Sequence, residues 1–288
     1  MSSITHLACL LFLCGQWINT ERWRQLLAMA RGSAPARTYL FGLVLAGMFF
    51  NFFLPSTVGG DVARAEMARK RLGSRTDAYL SIALARLLAF SAVLAIGLWA
   101  SLVAWRRFGW FDRGLALTVL VFLLPVVGVL LASRIQMIDR LSGVTWLPVS
   151  GLRKLSNIVE SLRAYTRNLS GLARVFALSV LAQFAGNIFV VWALAVSLGI
   201  AAPISFHMLA VSLITLITLL PISINGIGVR EGAFVYFYSK IGVVGADAIA
   251  LSIGYTAVLT VFSLAGGLYL MVGRRDTAAV DSFDPWTE

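Results

Sequence analysis

Charge is the scarcest thing in this sequence. Of 288 residues only 13% are Asp, Glu, Lys or Arg, while 59% are hydrophobic. So few charges cannot cover the surface of a soluble domain of this size, and the balance is that of a polytopic membrane protein. Cysteine is nearly absent too. Cys9 and Cys14 are the two in the chain and sit in one apolar run. Five residues apart, they do not share a helix face, and neither a disulfide framework nor a metal spacing is present. His6 and His207 are far apart and are assigned to no metal. There is no Walker loop, nucleophile elbow, zinc signature or pair of catalytic carboxylates on one helix, so neither ATP hydrolysis nor enzymatic chemistry is expected and no cofactor is implied. The N-terminal run lacks a basic leader and an Ala-x-Ala-like site, so no cleavable signal is expected.

The charge that is present is lopsided, with a formal net of +11. A nucleic-acid binder would gather it into one basic domain interleaved with aromatics. Here it is scattered between apolar spans, as in loops that face anionic headgroups. A spanning helix needs roughly 20 apolar residues. Apolar runs occur at about 4–19, 38–54, 78–104, 114–132, 172–198, 204–220 and 246–272. The first is short and leads into Glu21-Arg22-Trp23-Arg24-Gln25-Leu26-Leu27, which reads as a basic interfacial segment. These runs predict an all-α fold with about 6–8 membrane helices. Halves at about 1–132 and 172–275 form a single membrane domain joined by a linker, 133–171. In that linker Leu152, Leu155, Ile158, Val159, Leu162, Tyr165 and Leu169 recur at helical spacing, with Arg153, Lys154, Arg163 and Arg167 among the polar positions. This predicts an amphipathic helix on an anionic surface. Residues 276–288 form an acidic tail, expected to be disordered.

Two stretches break the apolar pattern. The first runs from Asn51 through Pro55, Ser56, Gly59, Gly60 and Asp61 to Arg64. Proline ends a helix, the glycines permit unusual backbone, and Asp61 is placed to cap a helix over about 62–71. The second, at 219–230, carries Pro221, Ser223, Asn225, Gly226 and Gly228, then Arg230 and Glu231. Broken helices at membrane depth are tolerated where they line a cavity or are buried in protein, and paired breaks in two halves point to a transporter-like site. If 38–54 and 204–220 each dip in and return, the basic residues concentrate on one side, as the positive-inside rule prefers, and the two breaks enter from opposite faces as an inverted repeat. That layout leaves the N-terminus outside, which a helix missing before residue 4 would explain.

The candidate substrate-binding residues are Asn51, Ser56, Gly59, Gly60, Asp61, Arg64, Arg86, Asn225, Gly226, Arg230 and Glu231. Asp61 and Arg64 are three apart and share a helix face. Glycine amides, a helix N-terminus and Arg64 form an anion site, or else the pair is a capped helix with an internal ion pair. Arg86 lies inside an apolar span, where it either faces a partner in a cavity or snorkels to the headgroups. Arg230 and Glu231 point in different directions, so one could pair with Arg64, Arg86 or Asp61. Glu66 and Lys70 read as a solvated pair.

At these residues the chain resembles the lysylphosphatidylglycerol-synthase transmembrane family, also called flippase-like. The resemblance is carried by Arg22-Trp23, Leu26-Leu27, Asn51 to Ser56, Gly59-Gly60-Asp61 with Arg64, and Leu220-Pro221 through Asn225-Gly226, Gly228, Arg230, Glu231 and Gly232. It covers about residues 8–273. It implies a multi-pass inner-membrane protein whose partners are anionic, aminoacylated or polyisoprenyl-phosphate lipids, with no nucleic acid. In the aminoacyl-lipid synthases this region is associated with moving the charged lipid to the outer leaflet. The family's soluble aminoacyl-transfer domain is not found here, so the expectation is lipid translocation rather than lipid aminoacylation. The rival expectations are a scaffold that docks a lipid-modifying enzyme through the 152–167 helix, and a membrane enzyme using Asp61 or Glu231 as general base.

Overall fold

The computed structural model describes residues 2–53, 59–104, 165, 167–219 and 223–273. Every regular element among them is helical. In chain order these are α1 (Ser2–Arg31), α2 (Arg37–Phe53), α3 (Gly59–Leu72), α4 (Arg75–Ala104), α5 (Leu169–Gln183), a π-turn (Phe184–Ile188) that runs on into α6 (Phe189–Ser197), α7 (Ile204–Thr218), α8 (Val229–Ser239) and α9 (Gly245–Gly273). The run expected at 114–132, the acidic tail, Pro55, Ser56 and Pro221 lie outside the described residues.

The segments Arg75–Val103, Leu169–Ser197 and Gly245–Val272 are long and apolar enough to cross a membrane. At about 1.5 Å per residue such helices reach past the ~30 Å hydrocarbon core. Their outer faces are apolar: Ile253, Val261, Leu264, Leu268 and Met271 of α9 are all exposed. A contiguous apolar face of that size belongs in lipid. The chain is a multi-pass membrane protein.

The same succession of elements occurs twice. A helix of 30 residues (α1), a short apolar helix of 17 (α2), a break, a short helix of 14 (α3) and a helix of 30 (α4) are answered by the 29-residue segment Leu169–Ser197. After it come α7 with 15 residues, a break, α8 with 11 and α9 with 29. Packing between the two sets is reciprocal. The short α2 lies against the long α9, the short α7 lies against the long α4, and α1 lies along α5, the π-turn and α6. Each short apolar helix also packs on the short helix that follows its break. At about 1.5 Å per residue, α2 and α7 are each shorter than the ~30 Å core.

Small residues let these helices approach. A Cβ added to Gly266 on α9 would sit 2.0 Å from the carbonyl oxygen of Leu45 on α2, and one added to Gly42 would strike the Tyr269 ring. In lipid, where the hydrophobic effect does not drive helices together, such close backbone packing supplies the cohesion. Phe12, Phe206, Phe234, Ile188 and Tyr238 fill a large core shared by both sets. Within it the His207 ring bonds the Tyr238 hydroxyl at 2.8 Å.

Two expectations are corrected here. Residues 21–27 are not an interfacial segment after a short span. They continue α1 without a break, and Trp23, Leu26 and Leu27 are fully buried. Bulky apolar residues at these positions point into the bundle, and helix packing overrides the local run of charge. Leu169 begins α5, and Tyr165 is buried against Leu26, Ala85, Leu88 and Val175. At that end the linker's apolar stripe meets protein. The rest of the predicted amphipathic helix lies outside the described residues.

Candidate functional site

The first break organises a polar cavity of about 230 Å³ lined by α1, α2, α3 and α4. α2 ends at Phe53 and α3 begins at Gly59. The Asn51 side-chain carbonyl accepts the Gly60 amide at 2.8 Å, satisfying one of the orphan donors at the start of α3. Gly60 has no room for a side chain, because a Cβ there would lie 2.0 Å from the Gly47 carbonyl. The cap of α3 is therefore supplied across the break by Asn51. Asp61 is not the residue before the helix; it sits in the first turn and is free to do something else.

What Asp61 does is hold two arginines. Its Oδ1 accepts from Arg64 at 3.1 Å, and its Oδ2 accepts from Arg86 on α4. Arg86 thus faces the cavity rather than snorkelling. Arg64 is 92% buried and lies over the Trp23 ring, 4.6 Å from its centroid. Trp23 is held in turn by an indole bond to the Ser81 hydroxyl at 3.0 Å. This chain of contacts, α4 to α1 to α3, leaves Arg64 little freedom.

A third arginine, from the segment whose local sequence reads as interfacial, completes the lining. Arg22 is 93% buried. It donates to Asn19 Oδ1 at 2.5 Å and to Ser179 Oγ at 3.4 Å. No described carboxylate pairs with it. The Nε atoms of Arg22 and Arg64 find no hydrogen-bond partner among the described residues. Gln16 and Asn19 complete the polar wall, with Gly47, Met48 and Val44 on the apolar side. In the sequence, Gln16, Asn19 and Arg22 are linked by their i, i+3, i+6 spacing on α1, and Arg22 also belongs to the Arg22-Trp23 pair that carries the family resemblance. The cavity brings three arginines to one carboxylate, a surplus of two positive charges among the described lining residues. Desolvated cations are expensive unless an anion joins them. The arrangement can hold a small anionic group by charge-assisted, forked hydrogen bonds.

The second break is built differently. Arg230 is buried on α8, yet it donates to the Asn225 carbonyl at 2.7 Å and to Thr256 at 3.0 Å, not to an acid. Asn225 has φ 51, Gly226 φ 78 and Gly228 φ 82, so the chain turns through the left-handed region. Arg230 clamps that turn. Glu231 Oε2 accepts the Gly228 amide at 2.5 Å and Oε1 accepts from Ser252 at 3.3 Å, which makes it the cap of α8. Neither Arg230 nor Glu231 pairs with Asp61, Arg64 or Arg86, and neither lines the cavity. Asn225 and Gly226 likewise lie outside it, Gly59 and Gly60 stand at the start of α3, and Ser56 falls outside the described residues. Glu66 pairs with Arg69 at 2.7 Å and Arg75 at 3.3 Å rather than with Lys70.

Residues 2–267 match the family described as Lysylphosphatidylglycerol synthase TM region. No curated protein and no solved structure matches the chain.

Proposed function

The chain belongs to the Lysylphosphatidylglycerol synthase TM region family, and from that premise we propose that it is a translocator of lipids with anionic headgroups in a cell inner membrane. The observation that carries the reading is the cavity itself. Asp61, Arg64, Arg86 and Arg22 meet at one cavity between four helices, of which α2 and α4 are largely apolar. Ionisable groups inside a membrane bundle are costly and mark substrate or ion pathways. The headgroup enters beside α2 and α3 while the acyl or prenyl tails remain in lipid. Arg64 and Arg86 receive the headgroup, and Arg22 holds it from the far wall. The action is non-covalent; bonding and release of the headgroup are enough, and no bond of the lipid is made or broken.

The test is a headgroup-accessibility assay in liposomes. The purified protein is reconstituted with fluorescent phosphatidylglycerol, its aminoacylated form, or a polyisoprenyl-phosphate lipid. Protein-dependent transfer of an anionic lipid, lost in Arg64→Ala at intact expression, is the expected result. Transfer of none of the three by folded protein, or transfer unchanged in Arg64→Ala, would defeat the reading.

A further inference from the structure

We propose that the ligand of the arginine cavity is a phosphate monoester in its dianionic form, and that Asp61 is an internal counter-ion which this phosphate displaces. The proposal deepens the function given above and rests on it only in taking the cavity as the headgroup site.

The charge balance carries the first half. Arg22, Arg64 and Arg86 face the cavity with Asp61 as the one described acid among its lining residues. A phosphodiester brings a single negative charge and leaves the surplus half neutralised. A lysyl ester of phosphatidylglycerol carries net positive charge and would add to it. A phosphate monoester, with a second pKa of about 6, carries close to two negative charges at pH 8 and three acceptor oxygens. Arg22, Arg64 and Arg86 all line the cavity, and a guanidinium fork matches phosphate oxygens in bidentate fashion. Size agrees: about 230 Å³ is below the roughly 300–1,000 Å³ of clefts that bury drug-sized ligands. The cavity accommodates a compact terminal phosphate.

Geometry carries the second half. Asp61 places one carboxylate oxygen on Arg64 and the other on Arg86, which is how a phosphate would bridge them. Its side chain and that of Arg86 are each about a quarter exposed, 23% and 24%, whereas the Arg64 side chain is 10% exposed. The Asp61–Arg86 link is therefore the part of the ring that an arriving phosphate reaches. Asp61 remains in the cavity wall when it yields Arg86, so its charge still counts in the balance, and exchange of one anion for another keeps Arg86 paired throughout. It also gives the site a means of release, because Asp61 competes for the same donors.

The experiment is a scintillation-proximity binding assay on the full chain in phosphatidylcholine nanodiscs, with phosphatidic acid, phosphatidylglycerol and lysylphosphatidylglycerol as probes. At pH 8 phosphatidic acid is expected to bind at least about 10-fold tighter than phosphatidylglycerol, a difference of ~1.4 kcal/mol, with the lysyl lipid weakest. Phosphatidic acid affinity falls between pH 8 and pH 5 as the monoester takes up its second proton, while phosphatidylglycerol affinity stays flat. This comparison needs no variant. Arg22→Gln weakens phosphatidic acid binding by about 10-fold, and Asp61→Asn tightens it by removing the competitor. Equal affinity for the mono- and diester, a flat pH profile for the monoester, or weaker binding in folded Asp61→Asn overturns the proposal. Displacement of phosphatidic acid by millimolar inorganic phosphate assigns the dianion to a free phosphate; persistence assigns it to a lipid. Because binding is read without transport, tight phosphatidic acid binding with no transfer in liposomes defeats the translocation reading alone. Transfer of phosphatidylglycerol without monoester preference defeats this one alone.

Discussion

Gly60 and Gly47 touch through their backbones: a methyl group on Gly60 would lie 2.0 Å from the Gly47 carbonyl oxygen and 2.6 Å from the Asn51 side chain. That contact seats α3 on α2 and brings Asp61 to the cavity rim. Gly60→Ala must push the two helices apart and break the Gly60–Asn51 bond, an overpacking cost of about 1–3 kcal/mol. Thermal unfolding of the purified protein is expected to show the loss, with weaker binding of the anionic probe alongside it. Gly232→Ala on α8 is the control, since nothing lies within 4 Å of the added methyl; its stability should hold or rise by up to ~1 kcal/mol through helix propensity.

The crossing of α1 with the π-turn depends on a second glycine pair. A Cβ on Gly15 would be 2.4 Å from the Gly186 Cα. No flexible side chain stands there to yield, so Gly15→Ala is expected to lower stability by about 1–3 kcal/mol. It also disturbs Gln16 and Arg22, which lie on the same helix and line the cavity. A melting temperature identical to the parent's would contradict the contact.

Arg230→Lys should fail as a conservative change. The guanidinium reaches the Asn225 carbonyl with one nitrogen and Thr256 with another, and a single ammonium on a flexible stem does not reproduce that fork. Leaving a part-buried acceptor unbonded costs on the order of 1 kcal/mol. The role assigned to Arg230 is structural, so the expected outcome is lower thermal stability with anion affinity intact in the folded fraction. A variant of full stability that no longer binds the anionic probe would place Arg230 in the binding site instead.

The exposed charge network at the end of α3 gives a pH prediction. Hydrogen bonds from the Tyr79 hydroxyl and from Arg69, with Arg75 nearby, hold the Glu66 carboxyl below the usual carboxylate range. A depressed folded-state value means the contribution is present above the unfolded pKa of about 4.3 and is lost as pH falls through the lower folded value. Melting temperature should therefore drop between neutral pH and pH 3.5 by more in the parent than in Glu66→Gln. The difference is small because the group is in water. Equal acid sensitivity in the two proteins would show that Glu66 contributes nothing.

Much of this architecture is legible in the residues. Low charge and long apolar runs require a bilayer, because no aqueous surface could be made from them. Asn51 to Asp61 and Pro221 to Gly228 mark where helices stop, since proline and glycine act on the backbone within a residue or two. Asp61 and Arg64 share a face because three residues make nearly one turn. These are local properties, and local chemistry is enough to set them.

Contacts between distant segments are another matter. Arg22 sits in a run that looks interfacial, and its place beside Arg64 and Arg86 follows from α1 packing across α3 and α4, with Trp23 buried as the pivot. Arg230 has the same local setting as Arg64, a break followed by a short helix, yet it bonds a backbone carbonyl while Arg64 bonds an acid. Helical spacing tells which residues share a face. Which faces then meet depends on the volumes of glycines such as Gly15, Gly42 and Gly266 and on the bulk of the residues opposite them, and that sum is taken over the whole bundle at once.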